Sequence, residues 1–408
     1  MSVISINRKA TVEGTIENLP SSKSLSNRAL VLQALAGNQP VVSNLSSARD
    51  TVLMQKLIGS SEQTIDVMDA GTTMRFLTGY FATRGVEKIM TGAPRMKQRP
   101  IGLLVDALRK LGAHIDYLEK EGYPPLALKG FGQQLTASIE MPGHVSSQYI
   151  SSLMMVAPTL PNGLTIVLTG KIGSRPYIEM TAALMRHFGG QCHFDGHTIE
   201  VPAGSYKAKP YAVEGDWSGA SYWYGFTALA KEASIQVKAV VDESLQGDRA
   251  IVTIMDQLGV HTVFNDEGAL LSKKAAATSV QWDFAQCPDL AQTVLPVCAA
   301  KGIKGTFTGL ESLRIKETDR IYALQQELGK LGAHITEPTT GTWVLTPAQG
   351  ALPAQITVET YHDHRMAMGL APLATLMNVD IHDPEVVNKS YPTYWKDVAS
   401  LGFTLTQR

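Results

Sequence analysis

The chain has 408 residues, 44% hydrophobic and 18% charged, with a formal net charge of −1. This is globular composition at a length that suggests two or more domains. The charge balance excludes a polyelectrolyte surface for nucleic acid or acidic membrane. Cys192, Cys287 and Cys298 are too few and too scattered for a disulfide framework or a metal cluster. No apolar run approaches the ~18 residues of a membrane span, and the opening MSVISINRKA has no signal core. A soluble, cytoplasmic protein is expected.

In chain order, the first distinctive stretch is PSSKSLSNR, inside a span from Asn18 to Arg49 that holds no Asp or Glu. Lys23 and Arg28 offer positive charge there and Ser24 a hydroxyl, two kinds of donor that bind anions. DAGTTMR follows, where Gly71 and Thr72 are placed to open a helix carrying Arg75. Unbonded N–H groups and the dipole at a helix start favour an anion. Residues 88–105 are again free of acids and contain APRMKQRP, with Arg95, Lys97 and Arg99. So are residues 141–178, which contain HVSSQY (Ser146, Ser147, Gln148) and GSRPY (Ser174). Each stretch alone reads as a helix cap or a surface loop. What marks PSSKSLSNR, APRMKQRP, HVSSQY and GSRPY is the absence of acids around them; DAGTTMR adds a helix start.

A repeat runs through the same chain: an amphipathic helix end, an apolar residue and Gly, then two short alternating strands around a turn. LRKLGAHIDY, LMRHFGGQCHF, IMDQLGVHTVF, LGKLGAHITE and VASLGFTLTQ place the glycine at Gly112, Gly189, Gly259, Gly332 and Gly402, about 70 residues apart. LMQKLIGSSEQTIDV is a weaker first copy that ends its helix at Gly59. Gly after the last apolar helical residue caps a helix because it accepts the left-handed conformation cheaply. The alternation that follows predicts a hairpin. Six such units account for the chain. They are large enough to associate in threes into two domains, with a cleft where ligands bind. The segment between Asp50 and Asp69 is short, so the first unit is expected to lack part of its hairpin.

Further on, SLRIKETDRIYAL crowds Arg314, Lys316, Glu317, Asp319 and Arg320 at the mouth of an amphipathic helix. It reads either as solvated ion pairs, worth about 0.3–0.5 kcal/mol each, or as a site that binds anions and moves protons. YHDHRMAM carries Arg365, with His362 and His364 on one face only in a strand. Without further ligands at metal spacing, no metal is expected. YPTYWKD reads as a packed aromatic turn, with Lys389 just before it as an unexplained charge.

Together, PSSKSLSNRALVLQALA, DAGTTMRFLT, APRMKQRPIGLLVDALRKLGA, SSQYISSLMMVAP, SRPYIEMTAALMRHFG, EGDWSGASYW, LRIKETDR, DHRMAM and NKSYPTYWKDV resemble the 5-enolpyruvylshikimate-3-phosphate synthase family, in order from Leu19 to Val398. The resemblance implies a two-domain α/β fold of six repeated α/β units, three per domain, around an interdomain cleft. Residues 1–20 and 214–408 would form a discontinuous first domain and 21–213 the second. The implied reaction transfers the enolpyruvyl group of phosphoenolpyruvate to the 5-hydroxyl of shikimate 3-phosphate, releasing phosphate, by addition and elimination. It is the sixth step of the shikimate pathway, toward chorismate, and needs no metal or organic cofactor. The partners are then these two small molecules, with no nucleic acid and no membrane, and a monomer is expected.

Carried over residue by residue, the resemblance assigns shikimate 3-phosphate to Lys23, Ser24, Arg28, Ser146, Ser147, Gln148 and Ser174, with Asp289 and Lys316 at its hydroxyl. It assigns phosphoenolpyruvate to Lys23, Gly71, Thr72, Arg99, Gln148, Arg320, Arg365 and Lys389. Asp289 is the candidate base and Glu317 the acid/base at the methylene carbon, with Lys23 and Lys316 completing the catalytic set. Dense cations suit substrates that both carry a phosphate and a carboxylate, since like charges repel strongly at low dielectric. Gly71 leaves room beside phosphoenolpyruvate, so inhibition by glyphosate, its competitor in this family, is expected. Asp69, Phe76, Ser312 and His362 depart from the family's common Asn, Pro, Asn and Asn, and Asp283 is a nearby rival of Asp289. Two other readings stay open. A UDP-N-acetylglucosamine enolpyruvyl transferase would usually carry a reactive Cys in a mobile loop, and no Cys lies in such a basic loop here. A non-catalytic protein binding phosphorylated ligands would not need Asp289 and Glu317.

Overall fold

The computed structural model describes residues 2–408. They fall into two compact lobes, residues 2–22, 47–49 and 214–408 in the larger and residues 23–46 and 50–213 in the smaller. In each full repeat a strand leads through a helix to a parallel neighbour, and a second helix leads to an antiparallel hairpin beside it. In the smaller lobe, strand Thr64–Asp66, helix Gly71–Thr83, strand Glu87–Thr91, helix Gly102–Leu111 and hairpin Ala113–Tyr117/Leu126–Phe131 form one such repeat. The crossover helix is what parallel pairing requires, because a tight turn cannot join two parallel strands. The same plan builds a sheet on Ser138–Pro142 and Leu164–Thr169 in this lobe. In the larger lobe it builds three, on Thr11–Ile16 with Glu232–Lys238, Ser279–Asp283 with Lys304–Thr308, and Gln355–Val358 with Asn378–His382.

Two places depart from equal copies. After Gly402 there is a single strand, Leu405–Gln407, and not the expected hairpin. The missing place is taken by the N-terminal strand Val3–Ile6, antiparallel to both Leu405–Gln407 and Asn378–His382, so the two chain ends complete one sheet. After Gly59, residues 59–63 lead straight into Thr64–Asp66 and leave no length for a hairpin. That repeat is reduced to a parallel pair of two-residue strands, Val42–Ser43 with Tyr211–Ala212.

The first helix of each repeat is buried on nearly all sides. Gly71–Thr83 exposes only Thr72 and Thr83 to any extent, and Trp217–Leu229 only Ser218. Helices apolar all round belong in a core. In the smaller lobe Lys23–Leu35, Gly71–Thr83 and Ser147–Val156 pack on one another, and in the larger lobe Trp217–Leu229, Ala291–Lys301 and His364–Leu370 do so. The candidate residues cluster at the starts of these helices: Lys23, Gly71, Thr72, Ser147 and Gln148 in one lobe, Asp289 and Arg365 in the other. None of the six helices has an acid in its first turn. Any acid that opposes their positive dipole ends must therefore stand before the first turn, as a cap. Among the described residues no helix is long and apolar enough to cross a membrane.

Gly112, Gly189, Gly259, Gly332 and Gly402 have φ of 116°, 84°, 99°, 80° and 83°. Gly59 lies outside the left-handed region, and a Cβ there would meet nothing within 4 Å. At Gly112 a Cβ would lie 2.2 Å from the Gln133 carbonyl oxygen. Gly112→Ala is therefore expected to lower the thermal midpoint by several degrees, the left-handed backbone alone costing about 1–2 kcal/mol. Gly59→Ala should leave it unchanged or raise it, by up to about 1 kcal/mol of stability. Equal losses in thermal unfolding of both variants would refute the distinction.

Candidate active site

In the larger lobe the site is built around Arg320, the first residue of helix Arg320–Gly329, with a side chain only 2% exposed. Its Nε donates to Asp363 Oδ2 at 2.7 Å, and its Nη2 to Asp363 Oδ1 at 3.3 Å. Nη1 donates to Asp289 Oδ1 at 2.8 Å, and Nη2 also to Glu317 Oε2 at 3.0 Å. One planar guanidinium thus holds three carboxylates from three segments, which its fork of donors can do and an ammonium cannot. Asp363 is fully buried and also caps helix His364–Leu370, accepting from the Arg365 N–H at 2.9 Å. This fixes the backbone that carries Arg365.

Arg365 Nη2 donates to Asp289 Oδ2 at 3.0 Å and to Ser218 Oγ at 3.3 Å, and Nη1 to Tyr222 Oη at 3.3 Å. Lys316 Nζ stands 3.3 Å from Asp289 Oδ1, and Lys389 Nζ 3.4 Å from Glu317 Oε1. Burial alone would push the Asp289 carboxyl up. Arg365, Lys316 and Arg320 outweigh it and hold the group well below the usual carboxylate range. Its rival Asp283 instead accepts from the Ala285 N–H at 3.0 Å and caps a short 3₁₀ turn. Asp319 is a helix cap, accepting from the Tyr322 N–H at 3.0 Å. Arg314 is exposed, paired with Glu337 at 3.2 Å and lying over the Trp343 ring at 5.0 Å. Ser312 is exposed on the turn before Arg320, and His362 is exposed while His364 is buried.

The smaller lobe gathers a second set. Lys23 begins its helix, with Nζ 3.2 Å from Asp50 Oδ2. Arg28 is buried, and donates from Nε to Thr181 Oγ1 at 2.7 Å, from Nη2 to Ser151 Oγ at 3.1 Å and from Nη1 to the Ser24 carbonyl at 3.0 Å. None of these acceptors is charged, and burial lowers the guanidinium to about 10, so it remains a cation at neutral pH. Phe76, one of the departures from the family pattern, is buried with its ring 5.3 Å from the Arg28 guanidinium carbon, and Tyr177 lies at 5.6 Å. The two ring faces supply part of the stabilisation that an acid would give.

Ser146 is the cap of helix Ser147–Val156, and Gln148 Nε2 donates to Thr72 Oγ1 at 3.0 Å, which ties two helix starts together. A Cβ on Gly71 would lie 2.6 Å from Arg99 Nη1, so glycine is what lets that guanidinium rest against the helix start. Arg99 Nε is buried with no hydrogen-bond partner among the described residues. Ser174 sits half-buried at a left-handed φ of 52°, just before helix Arg175–His187.

The family model for EPSP synthase (3-phosphoshikimate 1-carboxyvinyltransferase) matches residues 6–60 and 54–398. A 3-phosphoshikimate 1-carboxyvinyltransferase of Bacteroides fragilis (strain YCH46) is 45% identical over 397 residues, covering 96% of each chain. One of Citrobacter koseri is 35% identical over 424 residues, covering 96% of this chain and 97% of its own. This chain belongs to the EPSP synthase family. The EPSP synthase of Acinetobacter baumannii, solved at 2.37 Å, shares the fold with a TM-score of 0.80 at 20% identity, with full coverage of both chains. Membership makes the chain a transferase with the two-domain EPSP synthase fold.

Against that family frame, several residues of the two sets escaped the sequence reading. Asp363 lies in DHRMAM, two residues before Arg365, and its place before an apolar helix marks it as a cap. Asp50 is the first acid after the acid-free span, a signal that was available. Asp248 had no signal: it follows LQG and is brought to Arg365 only by folding. It is 2% exposed, accepts from Ser218 Oγ, and its Oδ1 has no partner among the described residues. Burial, opposed by Arg365 and reinforced by Asp289, raises its carboxyl from the ordinary 3.8 to about 6.

The two acids give opposite pH dependences. Asp289 is depressed, so its contribution is complete above the unfolded value and is lost as pH falls below it. Asp248 is raised, so the folded state holds an extra proton between about 3.8 and about 6, and stability is lost as pH rises through that window. Asp248→Asn removes the second effect. The thermal midpoint of the variant minus that of the native chain should become more positive as pH rises from about 4 to about 7. A difference independent of pH would show that Asp248 does not titrate there.

Proposed function

We propose that the chain transfers the enolpyruvyl group of phosphoenolpyruvate to the 5-hydroxyl of shikimate 3-phosphate and releases phosphate. The observation that carries this is the larger-lobe cluster: Asp289 held ionised by Arg320, Arg365 and Lys316, with Glu317 between Arg320 and Lys389. It pairs two carboxylates able to take and give protons with cations able to hold phosphate and carboxylate.

In the addition step the hydroxyl oxygen bonds to C2 of phosphoenolpyruvate, the hydroxyl proton leaves, and C3 gains a proton. Elimination removes phosphate from C2 and the proton from C3, restoring the double bond. Asp289, beside Lys316, is assigned the hydroxyl proton, and Glu317 the proton at C3. Phosphoenolpyruvate is assigned Lys23, Gly71, Thr72, Arg99, Gln148, Arg320, Arg365 and Lys389. Shikimate 3-phosphate is assigned Lys23, Ser24, Arg28, Ser146, Ser147, Gln148 and Ser174 in addition to Asp289 and Lys316. A carboxylate as acidic as Asp289 is a poor base in isolation. Substrate anions that bind Arg320, Arg365 and Lys316 weaken the pull of those cations on Asp289 and so raise its basicity when the hydroxyl is present.

We infer further a cytoplasmic, monomeric enzyme. Cys192, Cys287 and Cys298 are buried and unpaired, as suits a reducing compartment.

Phosphate release from phosphoenolpyruvate tests the reading. It should depend on shikimate 3-phosphate, and Glu317→Gln should lower kcat by about 100-fold or more, as loss of an acid/base group does. Release without shikimate 3-phosphate, or release that depends on a UDP-sugar, would replace the proposal. Gly71→Ala places a methyl against Arg99 Nη1. The guanidinium is a flexible end and can shift, so folding should survive while KM for phosphoenolpyruvate rises about tenfold, the effect of one weakened charged hydrogen bond. An unchanged KM would exclude Gly71 and Arg99 from that subsite.

A further inference from the structure

The turn that delivers Asp363 and Arg365 is strained. Tyr361 and His362 occupy consecutive left-handed positions, φ 53° and 56°. Histidine tolerates that region better than most side chains, as Asn does, but a tyrosine there is an outlier. Such a conformation persists only when its surroundings over-determine it. One part of the restraint is local: the Asp363 N–H donates to the Thr360 carbonyl at 2.8 Å. The rest comes from Glu327, seven residues after Arg320 on the same helix and fully buried.

Glu327 is saturated by groups around the turn. Its Oε1 accepts from Tyr361 Oη at 2.9 Å, and its Oε2 from the Glu359 N–H at 3.3 Å. Lys330 Nζ donates to both oxygens, at 2.8 and 2.7 Å, and also to the Thr357 carbonyl at 2.9 Å, in strand Gln355–Val358. Tyr322, on the same helix, packs edge-on against the Tyr361 ring at 6.3 Å. Helix Arg320–Gly329 therefore grips the 357–363 segment twice. At its start Arg320 holds Asp363 with two bonds, and two turns later Glu327 holds the strand end and the tyrosine of the turn. A buried carboxylate is costly unless every lone pair is used. These bonds meet that cost, and each of them fixes the backbone leading into Asp363.

We propose that Glu327 and Tyr361 form a positioning pair, whose carboxylate–hydroxyl bond holds the left-handed turn and thereby sets Asp363 and Arg365 for phosphoenolpyruvate. This rests on the proposed reaction for its catalytic consequence, but not for the holding itself. Neither residue is assigned to a substrate; the pair acts through Asp363 and Arg365.

The test uses the full chain carrying Tyr361→Phe, which keeps the ring and removes only the hydroxyl, beside Glu327→Gln and the double variant. Amide hydrogen exchange read by mass spectrometry should speed up at residues 359–366 in Tyr361→Phe, with helices Trp217–Leu229 and Ala291–Lys301 still protected. In the phosphate-release assay KM for phosphoenolpyruvate should rise about tenfold, KM for shikimate 3-phosphate should stay within about twofold, and the double variant should be no worse than the poorer single one. Exchange unchanged at 359–366 would overturn the proposal. So would equal changes in both KM values, a fall in kcat with both KM values unchanged, or additive effects in the double variant. Should Glu327→Gln fail to fold, Tyr361→Phe still decides by exchange and by the KM split. If the native chain releases no phosphate in a shikimate-dependent way, the reaction assignment fails, and the exchange measurement still decides whether the pair holds the turn.

Discussion

A buried guanidinium shared by three carboxylates is the interaction on which the larger lobe depends. Arg320 has almost no access to water, so its charge must be met by protein groups, and Asp363, Asp289 and Glu317 meet it from three separate segments. Removing one member of such a cluster strands the others in low dielectric, at a cost of about 3–5 kcal/mol. The cluster therefore constrains where helix Arg320–Gly329 starts, where helix His364–Leu370 starts, and which way the turn before Ala291–Lys301 faces. It also determines how anions act on it. A phosphate or carboxylate arriving at Arg320, Arg365 or Lys389 competes with Asp289 and Glu317 for the same N–H groups. Binding then does two things at once: it satisfies the ligand and restores basicity to the displaced acids. Proton transfer on the proposed pathway is in this way made conditional on occupancy.

The smaller lobe solves a different problem with the same architecture. Both lobes bundle three buried helices and present residues at their starts. In the larger lobe Asp216 and Asp363 cap two of these starts, accepting from the Gly219 and Arg365 N–H groups. In the smaller lobe the Gly71–Thr83 start has no side-chain cap, and Ser146 caps Ser147–Val156 with a neutral hydroxyl. Arg28 is surrounded by hydroxyls, a carbonyl and two aromatic faces. An ionised cap quenches the dipole of its helix, whereas a hydroxyl or a bare start leaves it available to a ligand anion. The larger lobe thus opposes two of its helix starts with carboxylates, and the smaller leaves two of its own open to an anion.

The repeat was legible because its mark is backbone conformation, not side-chain chemistry. A left-handed helix end admits Gly and little else, so Gly112, Gly189, Gly259, Gly332 and Gly402 could be read directly. Gly59, with an ordinary backbone, gave the weak copy for the same reason. What followed each glycine was less legible. VASLGFTLTQ looks like the other copies, yet its strand pairs with Val3–Ile6, and no local pattern reports that a chain's two ends share a sheet. The charged residues divide similarly. Lys23, Arg99 and Arg320 stood out because acids were missing nearby or charges were crowded, and Lys389 only as a charge beside an aromatic turn. Asp248, Glu327 and Tyr361 did not, since Ser218 and Arg365 lie far from Asp248, and Glu327 and Tyr361 far from each other, and each in isolation reads as an ordinary polar residue of an α/β protein.

The crowded segment from Ser312 to Leu324 shows how local geometry divides one cluster of charges. Arg314, on a 3₁₀ turn, faces outward to Glu337 and Trp343, and its pair with Asp319 is 3.5 Å long between two well-exposed side chains. Asp319 is spent on the helix cap. Those two residues fit the solvated ion-pair reading, and contribute little. Lys316, Glu317 and Arg320, separated from that 3₁₀ turn by an irregular bend, pair instead with buried groups: Lys316 and Arg320 with Asp289, and Glu317 with Arg320 and Lys389. The two readings of the segment therefore apply to different residues within it. What separates them is burial: charges that keep their water remain weak and replaceable, and charges that lose it must be satisfied by one another, which is the condition for tuning an acid at all.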